Sequence, residues 1–203
     1  MSADDFVQVP ADLPNAVKLA VLGMISGALS WALVDVSDRA GLSFDLEGFG
    51  LVLLPVAVYP GLVFGLVVGT FLHRQAKLTW LRTIGYVAAA GLSYVGAFHV
   101  AFYIVANGFN HREDGLAYIV GGIPAGFAGS LLLGLSTRFL LHVPGRLILR
   151  LPVAIGTIAG ALLGLASLDS RGWGFLAFFV LWQGAYGMSL APLLRGSRPA
   201  LAG

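Results

Sequence analysis

The chain has 203 residues, 58% of them hydrophobic and only 11% charged, with a net charge of +2 and a mean hydropathy of +0.87. Soluble domains carry about 25% charged residues, so this composition excludes an ordinary water-soluble fold, and the small, dispersed basic surplus argues against nucleic acid as a partner. Cysteine is absent, which removes disulfides, thiolate nucleophiles and cysteine-based metal sites together.

Residues 1–16 form a short polar lead-in with three acids (Asp4, Asp5, Asp12) and no base before Lys18. A cleavable signal peptide begins with a basic region, so the first apolar span is expected to be retained. Asp12 followed by Pro14 predicts a helix start, since proline is tolerated in a first turn. Six apolar segments follow, at about 17–36, 50–72, 83–106, 116–139, 152–168 and 174–194. Each has the length that crosses roughly 30 Å of hydrocarbon. Backbone polar groups find no water there, so the segments are expected to be helices. The predicted fold is all-α: a polytopic membrane protein with six transmembrane helices in one domain over 17–198, and a short tail at 199–203.

Charge predicts the orientation. Lys18, Arg74, Lys77, Arg82, Arg138, Arg146, Arg150, Arg195 and Arg198 fall on one side, against Arg39, Arg112 and Arg171 on the other. Basic loops stay cytoplasmic, which places both termini inside. An alanine-, glycine- and arginine-rich, lysine-poor chain of this kind suits a bacterial-type inner membrane. The helices then group as three αα-hairpins, 17–82, 83–150 and 151–198. Similar stretches, ISGALSWALVD and IAGALLGLASLD, open the first and third. Either a repeated hairpin or shared glycine- and alanine-rich composition accounts for the likeness.

Each return helix carries an interruption near its middle: Pro60-Gly61, Pro124 with Gly126, and Gln183-Gly184. Proline leaves the carbonyl four residues earlier without its donor. Interrupted spans at matching positions of internal repeats point to a transport site, although prolines also serve as plain kinks in membrane helices. Pro60, Gly61, Pro124, Gly126, Gln183 and Gly184 are therefore the predicted substrate-binding set. Small residues recur at every fourth position, as in Gly23 and Gly27, or Gly122, Gly126, Ser130 and Gly134. Such stripes let helix backbones approach closely, within the bundle or against a second copy or another membrane-complex subunit.

Ionisable residues inside spans are rare and often functional. Asp35, with His99, Tyr103 and Asn107 at successive fourth positions, forms a predicted polar cluster at the outer end. The alternative is that all four simply meet the interface. Arg138, His142, Arg146 and Arg150, four apart around Pro144-Gly145, are placed to meet lipid headgroups. No histidine has the partner of a metal helix, no serine has a positioned base, and no cofactor or catalytic residue is predicted. The composition and breaks fit a transporter or channel-like protein for a small neutral solute, embedded in the lipid bilayer. The alternative is a non-catalytic accessory or assembly subunit of a larger membrane complex.

Overall fold

The computed structural model describes residues 13–42, 44–46, 51–53, 55–75, 78–109, 115–141, 147–167 and 173–191. Among them the chain forms six α-helices: α1 (Leu13–Arg39), α2 (Pro55–Gln75), α3 (Trp80–Gly108), α4 (Gly115–Leu141), α5 (Leu147–Gly160) and α6 (Trp173–Ser189). Four of them, α1 to α4, are long and apolar enough to cross a membrane. Their apolar residues are not confined to one face: Val21, Ile25, Leu29 and Leu33 of α1, and Leu81, Ile84 and Leu92 of α3, are exposed. Water is the wrong solvent for such a surface. These are the helices of a membrane-embedded protein.

Local signals account for the helix ends. Pro14 and Pro55 occupy first turns, where the missing N–H has no acceptor to disappoint. Gly41 (φ +66°) closes α1; its N–H donates to the Asp38 carbonyl at 3.1 Å, and the Leu42 N–H to that of Ser37 at 3.0 Å. This crossed pair is the Schellman arrangement, which needs a left-handed residue. At the start of α3 the Thr79 side chain accepts from the Arg82 N–H. That cap moves the helix start three residues ahead of the predicted 83.

Three expectations are corrected. The second apolar segment, expected to be helical from 50, is not helical at its first described residues. Residues Phe44–Leu46 and Leu51–Leu53 instead pair as short antiparallel strands, Phe44 opposite Leu53, and α2 begins at Pro55. Pro60 therefore sits in the second turn of α2 rather than halfway through a span. The helices also run unbroken through Pro60, Pro124 and Gln183, because neighbours supply the packing that a lone kinked helix would lack. In the fifth segment the α-helix starts at Leu147, carries Pro152 inside it, and gives way to a 3₁₀ helix at Ala161–Ser167.

The helices form a closed ring in chain order, each packing on its sequence neighbours and α1 closing onto α6, with the 3₁₀ helix wedged against α4 and α6. Glycine sets the closest approaches. A Cβ at Gly23 or Gly27 would run into the backbone of Gln183 or Phe179, and one at Gly126 would meet the Gly156 carbonyl. At Gly61 it would lie 2.5 Å from the Ala90 carbonyl oxygen. The tight seams are thus α6–α1, α2–α3 and α4–α5. Among the described residues the core has three clusters: Ala97, Ala101 and Ala125 join α3 to α4, and the other two lie towards opposite ends of the ring. Leu19, Val68, Leu72, Tyr86, Tyr186 and Leu190 pack towards one end. Tyr94, Phe178, Phe179 and Trp182, with Trp31 beside them, pack towards the other. The ends are named here for Trp80 and Trp31 respectively.

Candidate functional site

A hydrogen-bonded knot ties three helices at the middle of the ring. The fully buried amide of Gln183 on α6 accepts from the Ser26 hydroxyl at 2.6 Å. It donates to the Ser30 hydroxyl at 3.3 Å and to the Pro60 carbonyl of α2 at 3.2 Å. Ser26 and Ser30 are four apart, so α1 presents both on one face, and Ser30 in turn donates to the Ser26 carbonyl at 2.7 Å. Both amide protons are engaged. The side chain thus joins α6 to α1 and α2, with its partners 157 and 123 residues away in the chain.

Beside the knot, empty space runs along the ring axis in three adjoining parts. The widest is a cavity of about 320 Å³ towards the Trp31 end, walled by Val56 of α2, Phe98, Ala101 and Phe102 of α3, and Phe175 and Phe178 of α6. It narrows to about 50 Å³ where Ala97 and Ala101 face Gly122, Gly126 and Gly160. It ends in a pinch of about 10 Å³ between Gly61, Ser93, Gly129 and Ser130. Tyr94 borders all three parts. Among the described residues no charged side chain lines any of them.

Below the pinch the Trp80 end is sealed by Val68, Leu72, Leu133 and Leu190 around two tyrosines. The hydroxyls of Tyr86 and Tyr186 are buried there without a geometric hydrogen-bond partner among the described residues. Thr137 lies against Tyr86, and its own hydroxyl donates to the Leu133 carbonyl at 2.6 Å. Among the described residues the column is widest towards the Trp31 end and closed by packed side chains towards the other.

The predicted substrate-binding residues divide around this column. Gly61 and Gly126 line it, and Pro60 and Gln183 are joined in the knot beside it. Gly184 packs against Met24 on the α1 seam. Pro124 is exposed on the outer face of α4, away from the other five. The polar cluster expected at the outer end is not one site. Asp35 forms an ion pair with Arg39 on its own helix at 2.9 Å, His99 bonds the Val95 carbonyl through Nδ1 at 2.8 Å, and Asn107 donates to the Tyr103 carbonyl at 2.8 Å. Tyr103 is exposed. Since α1 packs on α2 and α6, and α3 on α2 and α4, each group engages its own helix. Arg138 and Arg150 sit near the Trp80 ends of α4 and α5; Arg146 and His142 lie outside the described residues.

The aromatic wall was missed in the sequence. Its signal is the spacing of Tyr94, Phe98, Ala101 and Val105 on α3 and of Phe175, Phe178 and Trp182 on α6, three and four apart and hence on one stripe of each helix. Among the described residues no group of three or more histidine, aspartate or glutamate side chains could hold a metal. Comparison with protein-family models, with curated proteins and with solved structures finds no match.

Proposed function

We propose that the chain crosses the membrane six times as three hairpins, with both termini cytoplasmic, and passes a small neutral solute along the axis of the ring. The carrying observation is the column: a cavity of about 320 Å³ with no charged side chain among its described lining residues, lying towards the Trp31 end and backed by Leu72, Tyr86 and Tyr186 towards the other. Size and polarity both fit a small uncharged molecule, since small-molecule sites run from about 300 to 1,000 Å³. An ion would lose its water there without a countercharge. The fifth span gains length from its 3₁₀ end: 14 α-helical and seven 3₁₀ residues reach about 35 Å at ~1.5 and ~2.0 Å per residue. The 17 residues of α6 are near the minimum of about 17 for a crossing. The basic side chains gathered at the Trp80 end support a cytoplasmic position for that end, in a bacterial-type inner membrane.

The test is solute flux in proteoliposomes. Ala101→Phe fills the cavity and is expected to abolish saturable flux, while Leu92→Phe, at a 72% exposed position facing lipid, leaves it unchanged. Equal flux through both variants would refute the route. The accessory-subunit reading rests on the small-residue stripes and on the lack of predicted catalytic residues. Gly23, Gly61 and Gly126 all meet neighbouring helices of this chain, so those stripes are occupied and transport takes precedence. A stoichiometric partner retained through purification in mild detergent would restore the accessory reading.

A further inference from the structure

We propose that the cavity binds an uncharged, flat, aromatic molecule carrying one hydrogen-bonding group, which reaches the hydroxyl of Tyr94. The proposal rests on reading the column as a solute route, but equilibrium binding and flux are measured separately, and each reading fails on its own result.

Four observations carry it. First, no described lining residue is charged, so against these walls a carboxylate or ammonium group would be desolvated without compensation. Second, the walls are ring surfaces: Phe98 stacks on Phe102 (centroids 6.3 Å apart, planes at 13°) and Phe178 on Trp182 (6.1 Å, 21°). A further ring adds to such walls by offset stacking or edge contact, which contributes beyond plain area burial. Third, the cavity narrows to a slot between α3 and the glycine surface of α4 and α5. Gly122 and Gly126 already meet Gly160 and Gly156 backbone to backbone, so that face of the slot has no side chain that could move aside to widen it. A planar ring enters such a slot; a branched or puckered molecule of equal volume does not. Fourth, the Tyr94 side chain borders every part of the column, which places its hydroxyl within reach of a ligand lying there. A phenol, amide or carbonyl on the ligand would hydrogen-bond that hydroxyl, which both donates and accepts.

Equilibrium dialysis of the purified chain in maltoside micelles, with labelled p-cresol, toluene, cyclohexanol and benzoate, tests this. The expected result is saturable one-to-one binding of p-cresol, with cyclohexanol and benzoate weaker by about tenfold or more. Tyr94→Phe should weaken p-cresol about five- to tenfold and leave toluene unchanged, a split that general loosening of the fold would not produce. Ala101→Phe should remove both; Ala106→Leu, at the wider part of the same cavity, serves if that variant does not fold. Uptake that never saturates, or that is equal in wild type and the filled variants, overturns the proposal. So does cyclohexanol binding as tightly as p-cresol, or one acyl lipid per chain held by wild type and lost from Ala101→Phe in native mass spectra. Binding with the stated preference but no flux in liposomes removes the transport reading alone. Saturable flux of aliphatic solutes without aromatic preference removes the ligand class alone.

Discussion

At the scale of single residues, Gln183 and the buried tyrosines make opposite demands. Gln183 satisfies itself on Ser26, Ser30 and Pro60. Gln183→Leu therefore removes three bonds between helices and strands the Ser26 hydroxyl, which must turn back to its own helix. Interhelical bonds in membranes contribute about 0.6 kcal/mol each on average. A loss of about 2 kcal/mol is expected, read as a lower midpoint of thermal unfolding in detergent. Tyr186→Phe deletes a hydroxyl that is buried without a partner among the described residues, so removing it relieves desolvation. The midpoint should hold or rise by up to about 1 kcal/mol equivalent, and a fall of similar size would show that the hydroxyl is bonded in the membrane. Gln183 was legible as the most polar side chain near the middle of its span. Its role was not, because serines common in any membrane helix give no sign that they lie beside a residue more than 150 positions away.

At the scale of elements, the glycines separate by what they touch. A Cβ at Gly23 would collide with the backbone of α6, whereas at Gly96 the nearest atom is a leucine methyl of Leu132 at 3.6 Å, an ordinary contact. Gly23→Ala forces α1 off α6 and is expected to cost about 1–3 kcal/mol, the range for overpacking, with loss of the monodisperse peak in size exclusion. Gly96→Ala gains helix propensity worth up to about 1 kcal/mol and should raise stability. Equal effects would mean that the seam is not where the close approach lies. Stripes of small residues were plain in the sequence, and so was their consequence, close helix approach. Which helix meets which was not, since a stripe has no address. Helix existence was readable from apolar length, while the start of α2 was not. The apolar run passes through 50–55 without a change in hydropathy, and only the local pairing of Phe44–Leu46 with Leu51–Leu53 delays the helix to Pro55.

At the scale of the whole molecule, the proposed topology can be read one helix end at a time, because the chain has no cysteine and each introduced thiol is unique. Leu42 and Gly108 close the Trp31 ends of α1 and α3, and Gln75 and Arg150 lie near the Trp80 ends of α2 and α5; all four are exposed. In intact cells a membrane-impermeant maleimide is expected to label Leu42→Cys and Gly108→Cys. Gln75→Cys and Arg150→Cys should label only after permeabilisation. The deciding position is Trp173, at the start of α6, 56% exposed and stacked on Trp31 of α1 at 5.7 Å. If the fifth segment crosses with the help of its 3₁₀ end, Trp173→Cys labels with Leu42→Cys, and six spans follow. Labelling with Arg150→Cys instead would leave α5 and α6 on the cytoplasmic side and reduce the crossings to four. The Trp31–Trp173 stack makes that outcome inconsistent with an intact ring, because it would draw the outer end of α1 to the wrong side. The same five variants therefore report both the number of spans and whether the ring that encloses the cavity exists in the bilayer.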